Sequence, residues 1–129
     1  MAISKKSLRK IIRNDREFFW CVREDDDDDG RLYLVIFSED RTFHISYMLD
    51  QKNRELQFSP PNPFIIVKGK EFKGLDGLGK YWERFLTPDW ESKVMTPSLV
   101  AKIIDWCLAV EEVTSVNFRG EIMSDRRTL

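Results

Sequence analysis

Residues 24–30 read Glu-Asp-Asp-Asp-Asp-Asp-Gly, and so dense a run of carboxylates invites a cation. Asp25, Asp27, Asp29 and Gly30 satisfy D-x-D-x-D-G, the opening half of a calcium-binding EF-hand loop. That loop is completed by a bidentate Glu at its twelfth position, and here the twelfth position is Ile36, inside an apolar run. Helices should flank the loop, yet both flanks read as strands. No metal is expected, and the aspartates are read as a hairpin connection held open by mutual repulsion.

Three other patterns could do chemistry. Gly74, Gly79 and Lys80 match G-x-x-x-x-G-K, whose backbone N–H groups cradle phosphates. The following residue must be Ser or Thr to hold magnesium, but it is Tyr81, so no nucleotide or other cofactor is expected. The single histidine, His44, lies beside Thr42 and Ser46 on the polar side of a strand, while Cys21 and Cys107 sit in apolar surroundings. Neither thiol is marked as activated by a base, although a Cys–His pair across strands remains open at this level. One His and two distant Cys do not make a zinc site. Asp89 and Glu91 could act in acid–base work, but no paired carboxylate is visible and no catalytic residue is assigned.

The elements that carry these residues change character halfway along. Phe18, Trp20 and Val22 alternate with Phe19, Cys21 and Arg23, which predicts a strand. Arg31–Ser38 is apolar on both faces and predicts a central strand. Thr42–Leu49 alternates again with Phe43, Ile45 and Tyr47 on one side, and Phe64–Lys68 predicts a further strand. Leu56–Phe58 fits a short strand; in Leu8–Arg13 the spacing of Leu8, Ile11 and Ile12 fits a helical turn, but Asn14-Asp15 followed by a clear strand favours the first arm of a hairpin. Leu78, Tyr81, Trp82, Phe85 and Leu86 recur at helical spacing and predict a first helix, ended by Thr87-Pro88. Thr96 as N-cap and Pro97 at the first position predict a second helix, with Leu99, Val100, Ile103, Ile104, Cys107 and Leu108 as its buried stripe.

At 129 residues, 42% hydrophobic and 33% charged, the chain has the composition of one globular domain with its own core. No stretch reaches membrane-spanning length, and the basic start MAISKKSLRKII lacks the apolar run of a secretory signal. Two isolated cysteines fit reduced thiols in the cytoplasm. The net charge of −1 conceals unequal blocks: residues 1–23 hold seven Lys/Arg against Asp15 and Glu17, and residues 24–30 hold six acids and no base. The basic block, with Lys5, Lys6, Arg9, Lys10, Arg13 and Arg16 near Phe19 and Trp20, mixes charge and rings as a nucleic-acid stacking platform does. The adjoining aspartates would repel phosphate, and nucleic acid is disfavoured as a partner.

The strand Phe18-Phe19-Trp20-Cys21-Val22-Arg23 and the helix start Val94-Met95-Thr96-Pro97, followed by an extended tail with Phe118 and Gly120, resemble a group of small uncharacterised bacterial proteins with a β-rich first half and one C-terminal helix. The resemblance implies a bacterial cytosolic α+β domain and carries no catalytic residue with it.

The expected fold is α+β: one domain over residues 1–123 with a polar tail at 124–129, built as a twisted antiparallel sheet of five or six strands with two helices on one face. The expected core holds Trp20, Leu34, Ile36, Ile45, Ile66, Trp82, Phe85, Ile103, Ile104 and Cys107. The expected function is a non-enzymatic protein-interaction module, an inhibitor or immunity-type protein whose Glu24, Asp25, Asp26, Asp27, Asp28 and Asp29 meet a basic protein surface, or which pairs with another copy of itself. The alternative is a small-molecule-binding domain or enzyme with a pocket near Tyr81, Trp90 and His44.

Overall fold

A computed structural model describes residues 8–25, 31–51, 53, 59–69, 72 and 82–123. Six strands run in chain order across one antiparallel sheet: β1 (Arg9–Arg13), β2 (Arg16–Asp25), β3 (Arg31–Ser38), β4 (His44–Met48), β5 (Phe64–Lys68) and β6 (Glu83–Leu86). One helix, α1 (Pro97–Ala109), follows.

Local chemistry explains the turns. Asn14 and Asp15 both take positive φ (52° and 63°), the geometry of a two-residue type I′ turn, which fixes the Arg13–Arg16 register of the first hairpin. Between β3 and β4 the Asp40 carboxylate accepts from Ser38 Oγ (2.8 Å), Thr42 N (3.1 Å) and Thr42 Oγ1 (2.8 Å). These bonds favour the charged form and hold its pKa down at about 2. β5 ends at Gly69, whose φ of +103° and close approach to Thr42 leave no room for a side chain.

The strand period places Phe18, Trp20, Leu34, Ile36, Phe43, Ile45, Tyr47, Ile65 and Val67 on one face, all buried. Val100, Ile103, Ile104 and Cys107 of α1 are each 0% exposed and belong to the same core. Thr96 caps the helix by accepting from Leu99 N (3.2 Å). The helix is tied to the edge of the sheet by the Arg13 guanidinium, which donates from Nε to Asp105 Oδ1 (3.1 Å) and from Nη2 to Asp105 Oδ2. β3 lies between β2 and β4, as its two apolar faces predict.

The expected helix around Tyr81–Leu86 is corrected. Glu83–Leu86 is a strand, pairing Phe85 with Ile65 and Leu86 with Phe64, and α1 is the one helix among the described residues. Four residues are too few for periodicity to separate helix from strand, and the open edge of β5 decides. Trp82 is accordingly 44% exposed rather than buried. Ile66 is half-buried on the opposite face from Ile65 and Val67, which fill the core in its place. Leu78 and Tyr81, the Leu56–Phe58 stretch and the 124–129 tail lie outside the described residues. Beyond α1 the chain returns alongside β6, with Leu86 N donating to Thr114 O (2.8 Å) and Val116 N to Arg84 O (3.1 Å).

Candidate functional site

The acidic run connects the two longest strands. β2 and β3 pair from Phe18–Ser38 to Asp25–Arg31, so residues 26–30 form the connection between them and lie outside the described residues. The base of this hairpin is well defined. Glu24 is exposed and stands across from Leu32, an apolar side chain left 44% exposed. Arg31 is only 9% exposed. Its Nε and Nη2 donate to Leu49 O (3.3 and 3.1 Å), and Nη2 also donates to Asp50 O (3.2 Å). A buried guanidinium needs such partners, and these fasten the hairpin base to the end of β4. In the sequence Arg31 only opens an apolar strand and carried no role of its own. Its position immediately after the acidic run was the available signal.

The calcium reading meets a direct obstacle. Ile36, at the twelfth position, is 0% exposed in the core and pairs with Trp20 and Ile45, and both flanks of the loop are strands. Among the described residues no three His, Cys, Asp or Glu side chains converge. The Gly74–Tyr81 segment lies outside the described residues.

The nucleophiles and bases are placed where they react poorly. Cys107 is fully buried, which pushes its pKa far above the ordinary thiol value. Burial also raises Cys21, against a smaller opposing effect of Arg23. Both cysteines are free. Burial raises Tyr47, whose hydroxyl bonds with Ser92 and Thr87 pull the other way. His44 is lowered to about 4, first by burial and then by the charges of Arg41 and Lys68, so it is neutral at pH 7. It packs edge-on against Trp82 (4.8 Å) and Phe37 (6.0 Å). Cys21 is level with Val35 and Ser46, whereas His44 is level with Phe37. Two strand spacings, about 10 Å, separate the thiol's strand from the imidazole's, so they form no catalytic pair.

The pocket expected near Tyr81, Trp90 and His44 is not assembled from the latter two. Trp90 packs on Tyr47 and Trp106, each at 5.5 Å, on the helix side of the sheet. His44 and Tyr47 are three residues apart on one strand and point to opposite faces, so the sheet stands between His44 and Trp90. Tyr81 lies outside the described residues. The basic block divides as well. Arg9 lies over Trp20 (5.6 Å), Arg16 over Phe18 (4.9 Å) and Arg13 on Asp105, all on the helix side. Lys10 is on the other side, 3.9 Å from Glu17.

Among the described residues no helix is long and apolar enough to cross a membrane. The architecture defines the chain as a sheet-dominated α+β protein. No protein-family model, no curated protein and no solved structure matches it.

Proposed function

We propose that this chain is a non-enzymatic protein-interaction module whose Glu24–Asp29 connection engages a basic surface of a partner protein, as a small inhibitor or immunity-type protein in the bacterial cytoplasm. The observation that carries this reading is the hairpin base: exposed Leu32 stands directly across from Glu24, on strands fastened by buried Arg31. An apolar anchor beside concentrated charge is what a protein interface uses, the anchor for residence time and the charge for steering. The buried thiols and the neutral, ring-packed imidazole weigh against catalysis. Two unpaired cysteines fit a reducing compartment.

The test begins with capture from the native host, followed by association kinetics on the captured protein. Raising salt from about 0.05 to about 0.5 M should slow association tenfold or more, since screening shortens the reach of the carboxylates. Asp26→Lys with Asp28→Lys should slow it similarly, and Leu32→Ala should mainly speed dissociation. A captured partner whose association rate ignores both salt and charge reversal removes the acidic connection from the interface.

A further inference from the structure

The face of the sheet opposite the helix carries a second arrangement. Lys10, Phe19, Phe37, His44 and Lys68 are successive register partners from β1 to β5. Trp82 closes the row beside β5, edge-on to His44 at 4.8 Å and with Lys68 Nζ 5.7 Å from its ring centre. Phe19 and Phe37 stack at 5.7 Å, and the Arg41 guanidinium lies 3.9 Å over Phe37. Arg23, level with Tyr33, and Arg84, level with Ile66, point to the same face. Five cations therefore surround a line of rings, and Glu17 is the one acid described among the strand side chains of this face. Asp40, at the β3–β4 turn, has its carboxylate engaged by Ser38 and Thr42.

The charge of −1 and the neighbouring aspartates argued against nucleic acid in the sequence, but folding separates the two sets of charge. From Phe19 to Asp25 is six residues along β2, about 20 Å of strand. That is twice the screening length of about 8–10 Å at physiological salt, so Phe19 and its neighbours in the row are largely screened from the start of the acidic run at Asp25, whereas Arg23, two residues from it, is not. The row itself crosses five strand spacings, about 24 Å, long enough for the shortest single-strand sites of about 4 nucleotides.

We propose that this sheet face binds single-stranded nucleic acid, with bases stacking on Trp82 and on the half-exposed rings beside it while Lys10, Arg41, Lys68 and Arg84 take the phosphates. Trp82 is 44% exposed, Lys10 has 54% of its side chain exposed, and Phe19, His44, Lys68 and Arg84 are half-buried. Phe37 is only 5% exposed beneath Arg41, so Phe19, His44 and Trp82 are the rings within reach of a base, and cations flank them as a polymer of phosphates and flat bases requires. An acidic peptide would use the cations and leave the rings without a partner. This surface is separate from the acidic hairpin, so the proposal does not depend on the protein-interaction reading.

The test is fluorescence anisotropy of the full chain with labelled oligothymidylate and oligouridylate of about 20 nucleotides, at about 0.05 M salt. The expected result is saturable binding that weakens with salt, quenches tryptophan fluorescence and exceeds binding to duplex DNA of equal length. Trp82→Ala should weaken it about fivefold or more, with Trp82→Phe retaining much of the affinity. Lys68→Ala with Arg84→Ala should reduce the salt dependence. Asp26→Asn with Asp28→Asn should leave affinity within about twofold, because Asp25, where the acidic run leaves β2, is already about 20 Å of strand from Phe19. Thermal melts of each variant confirm the fold, and exposed Trp82 can be replaced without opening the core. No anisotropy change up to about 0.1 mM protein overturns the proposal. So does binding that Trp82→Ala leaves intact and that heparin or polyglutamate competes away equally well, which would make the face a general polyanion site.

Discussion

The single histidine gives the sharpest check on how the sheet is packed. His44 is held at about 4 against an ordinary 6.5, by burial first and by Arg41 and Lys68 second. Between those values the unfolded chain binds a proton that the folded chain does not. His44 therefore contributes stability in full above about pH 6.5, and that contribution is lost as pH falls towards 4. At 1.36 kcal/mol per pH unit the full difference corresponds to about 3 kcal/mol. The ring is only half-buried, and solvent screening reduces this to about 1–2 kcal/mol. Urea unfolding at about pH 7, 5.5 and 4.5 should show it as a pH-dependent stability gap between the parent chain and His44→Gln, which has nothing to titrate there. Using the gap cancels the carboxylates, which titrate in both proteins. Because the chain has one histidine, its imidazole NMR signal is assigned without ambiguity. An imidazole titrating near 6.5, or parallel loss of stability in both proteins, would refute the packing of His44 between Phe37 and Trp82.

Four further outcomes test other parts of the molecule. Ile104→Ala should cost about 2–5 kcal/mol in chemical denaturation, because its 0% exposed side chain leaves a cavity between helix and sheet. Thr96→Ala should cost about 1 kcal/mol through the lost cap. Gly69→Ala should lose about 1–3 kcal/mol, since the added Cβ would stand 2.3 Å from Thr42 O at a φ of +103°, and a melting temperature equal to the parent's would show that β5 does not end there. Replacing Asp25, Asp27 and Asp29 with Asn should leave the melting temperature unchanged or slightly raised by relief of repulsion. A calcium-dependent rise abolished by the same replacements would restore the metal site.

Legibility followed the size of each signal. The β3 run Arg31–Ser38 is apolar on both faces and could only be central. Thr96-Pro97 marked the helix start because capping chemistry is local. The hairpin at Asn14-Asp15 was readable for the same reason, and both residues tolerate positive φ. β6 was misread because Trp82, Phe85 and Leu86 fall at helical spacing, whereas the four-residue strand that holds the last two gains its state from β5, not from itself. The row from Lys10 to Trp82 could not be read at all. Period two tells which face a side chain takes, but which residues stand level across strands depends on register, set by turns far from the row. The split of the basic block has the same origin: Phe19 and Trp20 are adjacent in sequence and point to opposite sides of the sheet.

A net charge of −1 thus arises from two opposed fields rather than from an electrically quiet surface. The acidic run follows the far end of β2, while Arg41 and Lys68 lie against the rings of the face opposite α1. Had the two sets been interleaved, mutual neutralisation would have left neither able to steer a partner. With Phe19 and Asp25 about 20 Å apart along β2, more than a screening length, the row and the start of the acidic run each keep a local potential. The two proposed surfaces can then be occupied independently, and salt should weaken both. Charge reversal at Asp26 and Asp28 should act on the protein partner alone, and loss of the Trp82 ring on the nucleic acid alone. If either change moved both affinities, the coupling would have to pass through β2 and β3, the two strands that carry part of each surface.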